Sequence, residues 1–586
     1  MSTLTPSTRT RATNVLVIGS GGAGLRAAIA ATRAGADVVI IGKRDRQDAH
    51  TVLAAGGINA VLGTRDPEDS WQQHFADTMR DGYGLADRRM VEILATEAPT
   101  AVLELADWGC GFARIADGRL DQRFFGAHTY RRTCYAGDYT GRAIVRTLGS
   151  VVTELGITFV PGQYVSRLLI ADGSCFGVFA FDLATGEHTT FLADAVVLAA
   201  GGHTRIWRRS SSRRDENYGE GMALALRAGC RLSDMELVQF HPTGMVQPED
   251  VAGTLVTEAV RGEGGRLVNA LGERYMERYD PQRRELSTRD RVALANYTEI
   301  AEGRGGPNGG VFLDISHLEK SVILEKLPRM YRQFIEYQML DISKHPMEVA
   351  PTAHYSMGGV VVDPETTATD LDGLFAAGEV TAGLHGANRL GGNSLAETLV
   401  FGRRAGEQAA ARSAATDVML RPRAVIEDAA SELNALVRQG DQLARPLQRA
   451  VRDLMWETCG VVRDEEHLRQ GLDGIRDLAA AADDVDVSPT EEGWGDLGHL
   501  LDLRSALATG EATLLSGLAR TESRGAHNRA DFPALDDAQL VNHRVRRDPV
   551  SGELSLTTHP VPPTSEELSA WLEHPVVEVD GDRLLE

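Results

Sequence analysis

The stretch Val15-Leu16-Val17-Ile18-Gly19-Ser20-Gly21-Gly22-Ala23-Gly24, followed by an alanine-rich run over residues 25–34 and then Gly35, decides the fold of this chain. An apolar β-branched run, a glycine turn and a helix-forming run that stops at a glycine read as strand, turn and helix. Gly19, Gly21 and Gly24, with Gly22 among them, have the spacing of a dinucleotide fingerprint. A pyrophosphate rests on a helix N-terminus only where no Cβ blocks the backbone's approach. A second buried strand follows at Val38-Val39-Ile40-Ile41. A nicotinamide-binding unit usually ends that strand on an acidic residue for the ribose hydroxyls. Gly42, Lys43 and Arg44 stand here instead, which tilts the reading from NAD to FAD.

Beyond the second strand, residues 48–60 contain His50, Thr51, Ala55, Gly56 and Gly57 and are too rich in small residues for a regular helix. They read as backbone passing close to a planar ligand. Taken by itself, His50 reads as a surface-loop histidine. Residues 70–106 and 142–155 read as helical, and 157–160 and 165–170 as strands. Residues 175–180 and 189–192 read as a hairpin-like pair around Thr185-Gly186. A further buried strand over 195–200, with Ala200, runs into Gly201-Gly202, and a two-part FAD fold needs such a strand to close over the isoalloxazine side. Between residues 205 and 214 stand Arg205, Arg208, Arg209, Arg213 and Arg214, which read as a solvated loop because charge runs usually face water.

At 586 residues the chain has room for several domains. Its formal charge of −22, from 61 basic against 83 acidic side chains, speaks against nucleic acid and against anionic membrane as general partners. An anionic substrate would therefore need a local basic exception. The five cysteines are scattered without a C-x-x-C, so neither a disulfide framework nor an iron–sulfur or zinc site is expected, and the pattern suits a reducing compartment. The first residues lack the apolar core of a secretion signal, and no run of about 18 apolar residues occurs. Membrane association is thus expected only through another subunit.

From Gln239 the chemistry becomes denser. His241, Arg261, Arg289, His354 and Arg389 lie in separate segments bracketed by glycine-rich turns. Two carboxylates on one small substrate need several cations and donors converging in this way. Further on, Leu447, Val451, Leu454 and Met455, then Leu468, Leu472, Ile475 and Leu478, form apolar stripes at helical spacing and read as antiparallel helices packed on the flavin domain.

His50-Thr51 before Gly56-Gly57, Arg132-Thr133-Cys134-Tyr135, His241-Pro242-Thr243-Gly244, Arg261-Gly262-Glu263-Gly264-Gly265, Arg289-Asp290, His354-Tyr355-Ser356-Met357-Gly358-Gly359 and His385-Gly386-Ala387-Asn388-Arg389-Leu390-Gly391-Gly392-Asn393-Ser394 occur in order along the chain. Together with Ser523-Arg524-Gly525-Ala526-His527 and Asp531-Phe532-Pro533, they resemble the flavoprotein subunit of succinate dehydrogenase and fumarate reductase. L-aspartate oxidase is the nearest relative and shares most of these motifs except the histidine at His50. Ala49, Glu220 and Ala396-Glu397 depart from the family's usual residues.

The resemblance implies an α/β, Rossmann-like FAD-binding domain over 14–240 and 351–410 and an inserted capping domain over 241–350. A helical domain over 411–530, a C-terminal extension over 531–586 and an N-terminal tail over 1–13 complete the expected layout. It implies hydride transfer between flavin N5 and one carbon of a C4 dicarboxylate, with Arg289 moving the proton and Glu258 and Arg261 as a relay behind it. His241, Thr257, His354 and Arg389 would hold the carboxylates. Lys43, Glu220, Glu379, Arg389, Ser394 and Leu395 would join the glycine turn around FAD, which would be covalently bound through His50. The partners would be an iron–sulfur subunit, with membrane anchors reached through it, placing the chain peripherally on the cytoplasmic side. The alternatives are an amino-acid oxidase of the L-aspartate oxidase type and an FAD-stabilised scaffold without catalysis.

Overall fold

In the computed structural model, residues 8–45, 48–490 and 493–573 are described. Parts of the expected N-terminal tail and C-terminal extension lie outside them.

The first strand is Thr8–Ile18, so it begins inside the segment read as a tail. It pairs in parallel with Val38–Gly42 on one side and with His188–Leu198 on the other. The sheet runs in the order Thr158–Pro161, Val38–Gly42, Thr8–Ile18, His188–Leu198, Ser174–Asp182, Gln163–Ala171, and Leu374–Ala376 also pairs with His188–Leu198. Residues 189–192 and 195–200 were expected as two strands. They form one, which pairs antiparallel with Ser174–Asp182 through Leu192 and then parallel with Leu374–Ala376 from Val196. Asp194 does not break it, because Ser413 Oγ (2.8 Å) and Arg421 Nη2 (2.7 Å) satisfy its carboxylate.

The helix Gly22–Arg33 lies against the long helix Asn393–Ala414. The alanine richness of the first helix is explained here. A Cβ on Gly406 would stand 2.1 Å from Ala27 O, so only small residues allow the two backbones to approach.

The segment 70–106, expected as helical throughout, is two helices, Trp71–Asp81 and Arg88–Asp107. The interruption has a tertiary cause: Gly82 O accepts from Ala387 N (2.9 Å), and a side chain at Gly82 would press on His385 O at 2.9 Å.

An antiparallel sheet in the order Val238–Met245, Met347–Ser356, Val311–Asp314, Arg266–Val268 frames the middle of the chain. Its own core includes Met245, Leu267, Leu313, Phe334 and Val349. The apolar stripes of the later sequence fall on Ala444–Thr458 and Glu465–Ala482, which pack with Gly495–Ala519 against Phe176, Phe179 and Phe181 of the main sheet. The final hairpin, Val541–Arg547 and Leu554–Pro560, extends a small sheet through Leu232–Ser233.

The solvated-loop reading of residues 205–214 holds for Arg208 and Arg214 and is corrected for the rest by burial. Trp207 is fully buried and donates from Nε1 to Cys459 O (2.8 Å), while Arg205, Ser210, Ser211 and Ser212 are buried as well. Arg208 does reach the surface, where it pairs with Asp453 and Glu457 on the helix Ala444–Thr458. Among the described residues no helix is long and apolar enough to cross a membrane, no cluster of ligands suits a metal ion, and all five cysteines are free and buried.

Candidate active site

The glycine turn closes the C-terminal end of the first strand. Gly19 has φ +111°, and a Cβ there would stand 2.1 Å from Ala199 O, in the segment that leads to Ala200 and Gly201. Gly24 packs beneath the turn, where a Cβ would meet Gly19 O at 2.0 Å. The N–H of Gly22 donates to Thr51 Oγ1 (3.1 Å), which ties the turn to the His50–Leu53 segment. A bare backbone at the start of a helix, with small residues on both sides, is the cradle that the diphosphate of FAD requires.

Of the site residues singled out from the sequence, all but Gly24 and Arg261 line one cleft. About 1820 Å³ lies between its walls, open solvent at the mouth included. The cleft joins the glycine turn to the histidines and arginines in one continuous space.

At one end Lys43 Nζ lies 2.6 Å from Glu220 Oε1 and 2.9 Å from Asp502 Oδ1. Burial opposes the charge, but the two carboxylates together hold the Lys43 ammonium above its ordinary value. Lys43 and Glu220, both expected at the cofactor, are thus bonded to each other, with Asp502 of the helix Gly495–Ala519 as their common neighbour.

His50 and Glu379 also line the cleft. His50 Nδ1 is 2.9 Å from Glu216 Oε1, which also accepts from Arg213 N at 2.8 Å. Burial works against both charges, yet each stabilises the other. His50 is raised above its ordinary value, and Glu216 falls to about 2. Glu379 Oε1 accepts from Ser356 N (3.0 Å), while burial raises its carboxyl.

The far end gathers the cations. Gln239, on the strand Val238–Met245, accepts through Oε1 from Arg389 Nη2 (3.0 Å) and from Arg289 Nη1 (3.2 Å). Its amide nitrogen donates to Asn388 Oδ1 (2.8 Å) and to Arg389 O (3.0 Å), which fixes which way the amide faces. Arg389 also donates to Ser394 Oγ (3.0 Å) and lies over the Tyr355 ring at 4.4 Å, with burial and then Arg289 lowering it to about 10. Arg289 Nε donates to Glu258 Oε2 (2.8 Å), and Gly126 N donates to Glu258 Oε1 (3.2 Å). Although burial disfavours its charge, Arg289 and Arg261 keep Glu258 ionised with a pKa of about 2.

The His241 and His354 rings meet edge to face at 5.2 Å. Thr243 N donates to His241 Nδ1 (3.2 Å), so the ring carries its proton on Nε2. His354 Nδ1 is bonded to Ser211 Oγ at 2.9 Å. Burial, followed for His241 by Arg289 and Arg261 and for His354 by His241 and Arg389, keeps both imidazoles well below their ordinary value and hence neutral. Thr257 is buried in the same wall. The arrangement thus offers two guanidiniums, two neutral imidazoles and a hydroxyl to a small dianion. Arg261 stands behind, with Nη2 3.8 Å from Glu258 Oε2.

Gln239, Glu216, Asp502 and Ser211 were not singled out as site residues from the sequence. Gln239 lies two positions before His241, inside a quoted motif, and that proximity was the available signal. The other three carry none beyond the fold that brings them in.

A family model described as FAD binding domain matches residues 14–395, and one described as fumarate reductase flavoprotein C-term matches residues 448–571. A fumarate reductase (CoM/CoB) protein of Methanothermobacter marburgensis is 46% identical, over 89% of this chain and 94% of that protein. The succinate dehydrogenase flavoprotein subunit of Rickettsia conorii is 36% identical, over 94% of this chain and 95% of that one. Among solved structures, a variant of the E. coli quinol fumarate reductase FrdA superposes with a TM-score of 0.90 at 36% identity, covering 95% of this chain and 98% of that chain. Mycobacterium smegmatis Sdh1 in complex with UQ1 gives 0.85 at 41%, covering 95% of each.

Proposed function

The chain belongs to the family of succinate dehydrogenase and fumarate reductase flavoprotein subunits, FAD-binding oxidoreductases, and from that membership we propose which residues carry its chemistry and with what it works. The substrate is a C4 dicarboxylate, succinate or fumarate. The observation that carries this reading is the convergence of Arg289 and Arg389 on Gln239 and of His241 on His354, in the same cleft that the glycine turn lines. FAD, when bound, supplies the acceptor or donor of a hydride.

The chain's own residues do the rest. Arg389 and His354 hold one carboxylate, and His241 Nε2–H and Thr257 hold the other. Because both imidazoles are neutral, they donate hydrogen bonds without binding product as tightly as cations would. Arg289 holds the proton that moves to or from the carbon beside the hydride site. Glu258, on Arg289 Nε, and Arg261 behind it replace that proton from the protein side. Gln239 sets the spacing of the two arginines. Closing the substrate between the two sheets excludes water, which strengthens these charges.

His50 is the attachment point for covalent FAD. Its Nδ1 is engaged by Glu216, so Nε2 is the ring nitrogen left for a bond. Electrons leave or enter through a separate iron–sulfur subunit docked on membrane anchors. The reasons are that no cysteine cluster is present in the sequence and that no described helix can cross a bilayer. On this reading the chain sits peripherally at the membrane, on its cytoplasmic side.

One experiment separates the readings. The isolated flavin-loaded chain should reduce fumarate with an artificial donor, oxidise succinate with a dye, and show little activity on L-aspartate with oxygen. Hydrogen peroxide from L-aspartate without dye reduction from succinate would move the assignment to the amino-acid oxidase class. Inactivity on all three substrates would favour a scaffold.

A further inference from the structure

Behind Glu258 lies a second cavity, with about 980 Å³ between its walls, solvent at its opening included. Arg261, Arg266, Arg274, Arg283 and Arg284 line it, against only two glutamates, in a chain whose formal charge is −22. One of the glutamates is already engaged. Glu285 takes Arg274 through Nε (2.9 Å) and Nη2 (2.6 Å) and also accepts from Leu267 N at 3.1 Å. Among the described residues, Arg266, Arg283 and Arg284 have no carboxylate at ion-pairing distance.

Arg261 is the deepest group. It is only 1% exposed, one arm donates to Glu285 O, and Nη2 faces Glu258 Oε2 at 3.8 Å, but neither Nε nor Nη2 has a hydrogen-bond partner. A buried guanidinium N–H without an acceptor is costly, so the site is short of an oxygen. The arginines reach it from four separate segments: Arg261 from the short helix Ala259–Gly262, Arg266 from the strand Arg266–Val268, Arg274 from the stretch before Met276–Tyr279, and Arg283 and Arg284 from the Arg284–Leu286 turn. Donors arriving from several directions suit a tetrahedral oxyanion better than a planar carboxylate.

We propose that this cavity is a binding site for a phosphate-type oxyanion, held by Arg261 at its floor and by Arg266, Arg283 and Arg284 at its rim. The dicarboxylate site opens on the other side of Glu258, so the two ligands bind independently. Arg261 stands between them. If it relays protons to Glu258, an extension that rests on the roles proposed above, an anion against its guanidinium holds the relayed proton back and slows turnover without displacing substrate.

The test uses flavin-loaded wild type and an Arg266→Ser/Arg283→Ser variant, whose changed side chains lie at the rim. Equilibrium dialysis at constant ionic strength measures binding of inorganic phosphate, with glycerol phosphate as a second arm that distinguishes a free ion from an ester. Saturable binding to wild type that weakens at least tenfold in the variant and persists under saturating fumarate is expected. No saturable binding up to about 10 mM overturns the site, as does loss of phosphate when fumarate is added or equal binding by the variant. Turnover is measured in the same samples. Phosphate should lower kcat and leave the KM for fumarate unchanged in wild type only. Binding without any effect on kcat would keep the anion site and reject the Arg261 relay.

Discussion

His50 Nδ1 and Glu216 Oε1 lie 2.9 Å apart although 166 positions separate them in the chain. The carboxylate orients the ring and favours a proton on Nδ1, as carboxylates behind functional histidines do. Glu216→Gln should therefore lower covalent flavin attachment several-fold while FAD still binds. The measurement is the flavin remaining with acid-precipitated protein compared with the total in the native sample. Complete release of yellow colour from the wild type would refute attachment itself.

The same pair sets a pH dependence in the flavin-free protein. Glu216, held at about 2, contributes stability above its unfolded value of about 4.3 and loses it as pH falls. His50, raised, contributes below its unfolded value of about 6.5 and loses it as pH rises through the folded one. The melting-temperature gap between wild type and His50→Gln should be widest near pH 5–6 and shrink on either side. A gap that grows steadily up to pH 9 would contradict the pairing.

Arg289→Gln removes the proposed proton carrier but keeps a hydrogen-bonding side chain of similar reach. Turnover should fall by about 10²–10⁴-fold, with flavin content and dicarboxylate binding intact. Retention of most of the fumarate reduction rate would remove Arg289 from that role.

Gln239→Leu leaves Arg289 and Arg389 without their shared acceptor. Hydrogen bonds to charged groups contribute about 1.5–3 kcal/mol, so kcat/KM should drop by about 10–150-fold. Gln239→Glu, which restores an oxygen at the same place, should recover the positioning but weaken dianion binding, so its KM rises more than its kcat falls. Wild-type kinetics in both variants would show that the arginines are held by other contacts.

Gly406→Val tests the helix crossing over the main sheet. Even the first added carbon would meet Ala27 O at 2.1 Å. Overpacking of this kind costs about 1–3 kcal/mol or more, so the melting temperature should fall measurably below that of the wild type. An unchanged melting curve would show that the two helices can separate freely.

The cofactor half of this molecule was legible because its signals are local. Val15 to Gly24 specify a strand, a turn and a helix by neighbouring residues alone, and the helical stripes from Leu447 to Leu478 do so by period. Expectations failed where distant chain decides. Gly82 interrupts a helical pattern because His385 O lies against it, and Asp194 continues a strand because Ser413 and Arg421 satisfy its carboxylate. The arginine-rich loop is a further case. Its composition suggests water, yet Trp207 anchors it among later helices and brings Ser211 to His354. Where Arg289 and Arg389 meet, each cation could be picked out by type and motif. Their mutual geometry, above all the amide of Gln239 between two guanidiniums, belongs to the folded chain alone.

Ala387 is clasped from both sides: its N–H donates to Gly82 O (2.9 Å), and its carbonyl accepts from Ala526 N (2.8 Å). Arg389 follows two residues later, so the loop that carries it is finished only after residue 526 has been made and has folded back. The glycine turn and the strands flanking it are synthesised several hundred residues earlier. During translation, which proceeds N-terminus first, the glycine turn is therefore made early, but the helix Asn393–Ala414 that packs on it follows Arg389 in the chain. The end of the cleft that carries Arg389 is thus completed only when the chain near residue 526 has folded back onto Ala387.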